Sequence, residues 1–217
     1  GVARALPART RLAAALPAFA PDAGIEWLAI GPEAFRAALA PLVAYRRAQG
    51  LAAAFVPVEQ VRDAAGADVP GAAAVRAFLR AAAKDWPEPK LRYVLLAGDA
   101  SRNSEAGLPC ALRDALGAGW TATDGYAALL DDDDIPDLAL GRWPARTPEE
   151  AGALLAKVKR LEEAPPGEWR RRLHLVLGTA GFGAALDGLL KTGGMRMASD
   201  FVPDAFAFRV QSPLELD

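Results

Sequence analysis

Five aspartates crowd one short approach to an apolar strand: Asp131 to Asp134 are consecutive, and Asp137 follows just before Leu138 to Leu140. Asp131, Asp133 and Asp137 stand at positions i, i+2 and i+6. That spacing lets carboxylate oxygens of a curled loop converge on a hard cation such as calcium, with a carbonyl and water completing the shell. The other use of the same residues is a solvated acidic turn that ends one strand and starts the next. The stretch has no loop glycine for a sharp turn and no bidentate glutamate at the usual distance downstream. Adjacent carboxylates repel one another, which calls for a cation or full solvation and excludes a dry site.

Asp99, Asp124 and Arg142 complete the chemically expressive residues. Asp99 follows the apolar run Tyr93 to Ala97 directly, in Gly98-Asp99-Ala100-Ser101. Arg142 is expected just after the strand of Leu138 to Leu140, and Asp124 sits in the long stretch between them. In an open parallel sheet the ligand crevice lies beyond the carboxyl ends of the strands, so all three are expected on the site face. A turn-capping carboxylate is the alternative role for Asp99.

The elements that must carry these residues alternate. Ile25 to Ile30, Leu51 to Val58 and Tyr93 to Ala97 are short apolar runs that read as buried strands. Between them, Phe35, Leu39, Leu42 and Val43 fall at helical spacing, as do Val75, Phe78 and Leu79 before Trp86-Pro87. Pro41 lies inside the first helical pattern and predicts a break or two short helices, the second capped by Gly50. Residues 101 to 130 read as one long loop, a length that in compact domains is usually functional. Thr147-Pro148-Glu149-Glu150 is a helix start with Thr as N-cap, and Ala151, Leu154, Leu155, Val158 and Leu161 form its apolar stripe. Strands alternating with helices mean right-handed crossovers and an α/β fold with a mostly parallel sheet flanked by helices. Pro165-Pro166-Gly167 is the candidate boundary, giving a lead-in at 1–24, a first α/β subdomain at 25–165 and the start of a second at 166–217.

In the last part, Leu173 to Leu177 reads as a strand and Leu186, Leu189 and Leu190 as a helix interrupted by Gly193-Gly194. Ala205 to Val210 reads as a further strand. The single histidine, His174, lies in mid-strand and is read as structural, since a catalytic His belongs at a strand end or on a loop. The single cysteine, Cys110, precludes an internal disulfide and has no His nearby in sequence. A small apolar packing role suits it better than nucleophilic catalysis. Gly178 to Gly183 lies between a strand and a helix, where backbone amides can cradle an anion. The spacing is not the dinucleotide-binding fingerprint.

The 217 residues, 52% of them hydrophobic, can build a sizeable core, and a net charge of −2 argues against nucleic-acid or polybasic membrane binding. No run reaches the roughly 18 consecutive apolar residues of a membrane span.

Several motifs together resemble the gingipain-type cysteine peptidases. They are Ile30-Gly31-Pro32-Glu33-Ala34-Phe35, Tyr45 to Gly50, Tyr93 to Ser101, Thr123-Asp124-x-Tyr126, the turn Asp131 to Asp137, and Gly141-Arg142-x-Pro144 with Arg146 to Glu150. The resemblance covers roughly residues 25 to 165 well. It implies a caspase-like sheet, a protein or peptide substrate and a secreted or cell-surface location. It also implies catalysis by a His after a Gly-His-Gly turn and a Cys after a following strand. Neither motif is present in these residues, so the chain is expected to be the amino-terminal portion of such a peptidase, truncated before the second half of the sheet system is complete and inactive alone. By the same resemblance Asp124 matches the acidic residue of the pocket that receives a basic substrate side chain in arginine-specific members; Asp99, set on the same edge by the sheet geometry, is the other candidate substrate-binding residue. An Asx-turn holding the loop is the alternative for Asp124. The family's acidic turn usually alternates Asp with Gly, and Asp132 and Asp134 fill those glycine positions here. Two other functional readings stand beside this one. The first is a non-catalytic, peptidase-like binding or secretion-associated module with a structural calcium loop. The second is a flavodoxin-like anion binder using the Gly178 to Gly183 turn.

Overall fold

The computed structural model describes residues 23–65, 69, 71–100, 107–115, 119–131, 133, 135–176, 183–201 and 207–211. The chain divides into two compact units, Gly1–Leu161 and Glu162–Asp217. In the first, strands β1 (Trp27–Gly31), β2 (Ala53–Pro57), β3 (Tyr93–Ala97) and β6 (Ala139–Trp143) form a four-stranded sheet in the order β2-β1-β3-β6. Every pairing in it is parallel, with Trp27 opposite both Ala53 and Tyr93, and Ala97 opposite Trp143. This is the architecture read from the sequence.

Alternation along the two central strands divides the core in two. Leu28, Ile30, Val94 and Leu96 face helices α2 (Val58–Ala65) and α3 (Gly71–Asp85), where they meet Val61, Val75, Phe78 and Leu79. Trp27, Ala29, Leu95 and Ala97 point the other way, onto Phe35, Leu39 and Leu42 of α1 (Arg36–Ala48) and its preceding turn, and onto Ala151 and Leu155 of α5 (Pro148–Glu162). Burial on both faces is why these strands read as continuous apolar runs rather than alternating ones. Each fully buried Leu, Ile or Phe contributes about 1.5–3 kcal/mol by transfer from water.

Three expectations are corrected. Helix α1 runs unbroken through Pro41. The proline removes the amide that would bond the Ala37 carbonyl, but both residues lie on the exposed side while Leu39, Leu42 and Val43 hold the buried side in place. The helix does end as expected: Gly50 adopts φ +90°, Gly50 N–H donates to Arg47 O (2.9 Å), and Leu51 N–H donates to Arg46 O (3.2 Å), a Schellman closure. Second, residues 101 to 130 are not one loop. They contain a hairpin, β4 (Ala111–Ala115) with β5 (Gly119–Thr123), and a single helical turn, α4 (Gly125–Ala128). Third, Arg142 lies within β6 rather than after it.

The second unit contains β7 (Arg172–Val176), helix α6 (Ala184–Phe201) and β8 (Ala207–Gln211), with β7 and β8 parallel. Helix α6 continues through Gly193 and Gly194, so that expected interruption is also corrected. Each glycine costs roughly 1 kcal/mol in helix propensity, which continuity of the backbone hydrogen bonds offsets. Residues 1–22 of the lead-in and residues 178–182 of the glycine turn lie outside the described residues. Among the described residues no helix is long and apolar enough to cross a membrane.

Candidate functional site

The parallel register brings the candidate residues to one edge. Gly98 N–H, just past β3, donates to the Trp143 carbonyl at the end of β6 (2.9 Å), so Asp99 emerges from the carboxyl end of the sheet. Its own carbonyl accepts from Leu108 N–H (2.7 Å), which leads the chain into the β4–β5 hairpin. The hairpin pairs Ala111 with Thr123 and returns to Asp124 at the start of α4. The local turn is tied by Thr123, whose Oγ1 accepts from Gly125 N–H (3.1 Å). That leaves the Asp124 carboxylate available for a distant partner.

The partner is Arg142. Its Nε and Nη2 donate to the two oxygens of Asp124 at 2.6 and 2.7 Å, and its Nη1 donates to the Gly98 carbonyl at 2.7 Å. The side chains are 11% exposed for Arg142 and 25% for Asp124. A planar guanidinium forking onto a carboxylate is among the stronger polar contacts in proteins, and partial exclusion of water strengthens it. Strand β6, the end of β3 and the start of α4 are thereby locked together by one side chain. Asp99 shares the edge and faces Arg146 Nε at 3.3 Å, but that arginine is 74% exposed, so the pair contributes little.

Two residues on from Asp124, the Tyr126 ring lies between two guanidinium groups, Arg76 of α3 at 4.8 Å and Arg113 of β4 at 5.0 Å from its centroid. Arg113 occupies the opposite hairpin face from Leu112 and Trp120, the latter 75% exposed. Arg76 also donates to the Leu129 carbonyl (2.6 Å) and the Asp131 carbonyl (2.9 Å), tying the acidic turn to α3. None of these arginine partners was singled out from sequence. Arg76 sits in a helix of alanines like any solvated arginine, and only Tyr126, in the Thr-Asp-x-Tyr run, carried a signal.

In the acidic turn the carboxylates serve the local backbone. Asp131 Oδ1 accepts from Asp133 N–H (3.1 Å), Asp133 Oδ1 from Ile135 N–H (2.8 Å), and Asp137 Oδ2 from Leu130 N–H (2.7 Å). The Asp133 backbone amide, more than any other neighbour, holds the Asp131 carboxyl below its ordinary value. Among the described residues no group of three or more His, Cys, Asp or Glu side chains is arranged to hold a metal ion. Asp132 and Asp134 lie outside the described residues.

Cys110 is half-buried where the chain enters β4. It borders a hollow of about 10 Å³ shared with Val75, Leu96, Leu108, Asp124 and Tyr126, room for about one water molecule. The backbone of His174 lies mid-strand in β7, opposite Arg209 of β8, and its side chain is outside the described set.

A parallel sheet covered on both faces, with an excursion between β3 and β6 at its carboxyl edge, is a fold shared with gingipain-like and caspase-like peptidases. The chain is similar to dimeric latent PorU from Porphyromonas gingivalis (25% identity, TM-score 0.56, 69% of this chain and 17% of that one). It is also similar to a solved protease (19%, 0.57, 88% and 40%) and to the complex of P. gingivalis RgpB pro- and mature domains (12%, 0.55, 86% and 42%). A family-level match agrees. The profile of peptidase family C25, the gingipain family, matches residues 20–208, and the chain belongs to that family. It spans 17, 40 and 42% of the three solved chains. Comparison with curated proteins finds no match.

Proposed function

We propose that this chain is the amino-terminal, substrate-side portion of a cysteine endopeptidase acting on proteins, with hydrolysis carried by a Cys/His dyad encoded after Asp217. The observation that carries this is family membership across residues 20–208 on a fold whose carboxyl edge gathers Asp99, Asp124 and Arg142. The chemistry needs a thiolate to attack the scissile carbonyl, a base that takes the thiol proton and returns it to the leaving amine, and backbone N–H groups for the oxyanion. Cys110 borders a hollow the size of one water, and the His174 backbone lies in mid-strand rather than at a strand end or on a loop, so this reading assigns that work to neither. In this reading Asp99, Asp124 and the hairpin form one wall of the substrate cleft.

The test is the coding sequence after Asp217, followed by expression of the complete protein. A Gly-His-Gly turn and a later strand-end Cys, whose replacement by Ala abolishes casein hydrolysis, uphold the proposal. A reading frame without them removes it. The second reading, a non-catalytic module with a calcium ion in the acidic turn, draws support from the i, i+2, i+6 spacing of Asp131, Asp133 and Asp137. It requires those side chains to turn from backbone amides toward a common ion. A thermal midpoint raised by calcium and not by magnesium supports that ion, and an unchanged midpoint leaves the aspartates as turn caps.

A further inference from the structure

The two edges of the four-stranded sheet are unlike. On β2 the Ala52 carbonyl bonds inward, accepting from Trp27 N–H (3.0 Å), so the outward backbone groups are those of Ala53, Phe55 and Pro57. That edge is guarded: Arg47 Nε donates to the Ala53 carbonyl (2.8 Å), Pro57 has no amide to offer, and the Arg36 guanidinium lies over the Phe55 ring at 5.0 Å. On β6, Ala139 N–H donates to the Arg92 carbonyl and the Trp143 carbonyl accepts from Gly98 N–H, both at 2.9 Å. Residues 139, 141 and 143 therefore bond inward, and Leu140 and Arg142 point their N–H and C=O groups away from the sheet. Among the described residues those outward groups have no partner. We propose that the β6 edge is an interaction surface whose partner is a second copy of this chain, the two β6 strands pairing antiparallel about a two-fold axis at Gly141.

The strand is complementary to itself. A register centred on Gly141, the midpoint of Ala139–Trp143, sets Leu140 opposite Arg142 of the second copy and the reverse, and each of these pairs exchanges both N–H···O bonds. The same register lays Trp143 of each copy over Ala139 of the other, large against small, with Gly141 facing Gly141 on the axis. Ala139 and Gly141 are exposed, and a Cβ on Gly141 would meet no atom within 4 Å, so a single copy leaves that room unfilled. A register centred on Arg142 would instead set two guanidiniums directly opposite one another, which is unfavourable. Charge, the common guard of an exposed edge, is neutralised here. Arg142 is the only charged residue of β6, and its Nε and Nη2 are taken by Asp124 and its Nη1 by the Gly98 carbonyl. That fork also holds the strand in place before any partner arrives, so pairing requires little further ordering. Five residues a side fall well short of the roughly 20 of a standard interface, which makes the pairing reversible.

The experiment is analytical ultracentrifugation of the complete protein over a dilution series, with amide hydrogen exchange across β6 followed at the two ends of the series. Wild type is expected to form a reversible dimer with a Kd on the order of 10 μM, and its β6 exchange to slow as concentration rises. Gly141→Glu sets two carboxylates on the axis, where the Cα atoms stand about 4.5 Å apart, and is expected to weaken the dimer about fivefold. Gly141→Lys is expected to weaken it likewise. An equal mixture of the two variants is expected to recover the dimer, because unlike charges then meet on the axis. A protein that stays monomeric at every concentration overturns the inference, and so does a dimer that neither variant disturbs. A monomer with protected β6 amides shows the edge covered by the protein's own chain and overturns it too. Wild-type exchange decides the matter even where a variant fails to fold: a dimer whose β6 exchange is independent of concentration pairs through another surface, and the inference falls.

Discussion

Asp124 and the aspartates of the turn that follows it are close in sequence and opposite in use. Asp124 leaves its own backbone to Thr123 and reaches a strand 18 residues away, where a half-buried fork joins three elements. Asp131 and Asp133 each cap an amide two residues on, and Asp137 one seven residues back, all exposed. Carboxylate density alone therefore says little about where chemistry lies. Partial burial and a distant cationic partner distinguish the residue that organises the edge from those that shape a turn.

Breaking the first side of the contrast should have the largest effect. Arg142→Ala strands a part-buried carboxylate and the Gly98 carbonyl together, and urea denaturation should show a loss of about 3 kcal/mol. Next comes the stacked ring. Tyr126→Ala should cost about 2 kcal/mol through lost packing and two cation–π contacts, whereas Tyr126→Phe, which keeps the ring face, should cost less than about 0.5 kcal/mol. On the other side of the contrast, Asp137→Ala removes the acceptor for Leu130 N–H and should cost about 1 kcal/mol in the same assay.

The smallest effect concerns acid. Asp131 titrates below its ordinary value in the folded chain, so its contribution is present above the unfolded value of 3.8 and is lost as pH falls through the lower folded value. Asp131→Asn should flatten that part of the acid-unfolding curve by lowering the neutral-pH midpoint slightly while leaving stability at the acid end unchanged.

The sheet was legible because burial on both faces writes itself as uninterrupted apolar runs such as Tyr93 to Ala97, and α5 because Thr147 and Glu150 mark its start. Glu150 N–H does donate to Thr147 Oγ1 (3.3 Å), although the Glu150 carboxylate turns to Arg146 N–H (2.7 Å) rather than to the cap itself. Pro41 and Gly193-Gly194 misled because whether such residues break a helix depends on which side faces solvent and on the surrounding hydrogen bonds, neither visible locally. The hairpin was missed for a related reason. Ala111 to Ala115 lacks a two-residue alternation, and β5 is exposed along most of its length, so no buried stripe marks it. Asp99 and Asp124 were expected at the carboxyl edge and are found there. Their pairing with Arg146 and Arg142 was not legible, because a fork between residues that far apart is set by strand register, and the register followed from the fold rather than from any motif.

The most direct test is a double-mutant cycle on Asp124→Asn and Arg142→Met, each variant and the pair measured by urea denaturation of the same chain. A single lock through these two side chains predicts a coupling energy of about 2 kcal/mol, so that the double variant is little worse than either alone. Additive losses, with a coupling near zero, would contradict the account and leave Asp124 energetically independent of Arg142 at the carboxyl edge of the sheet.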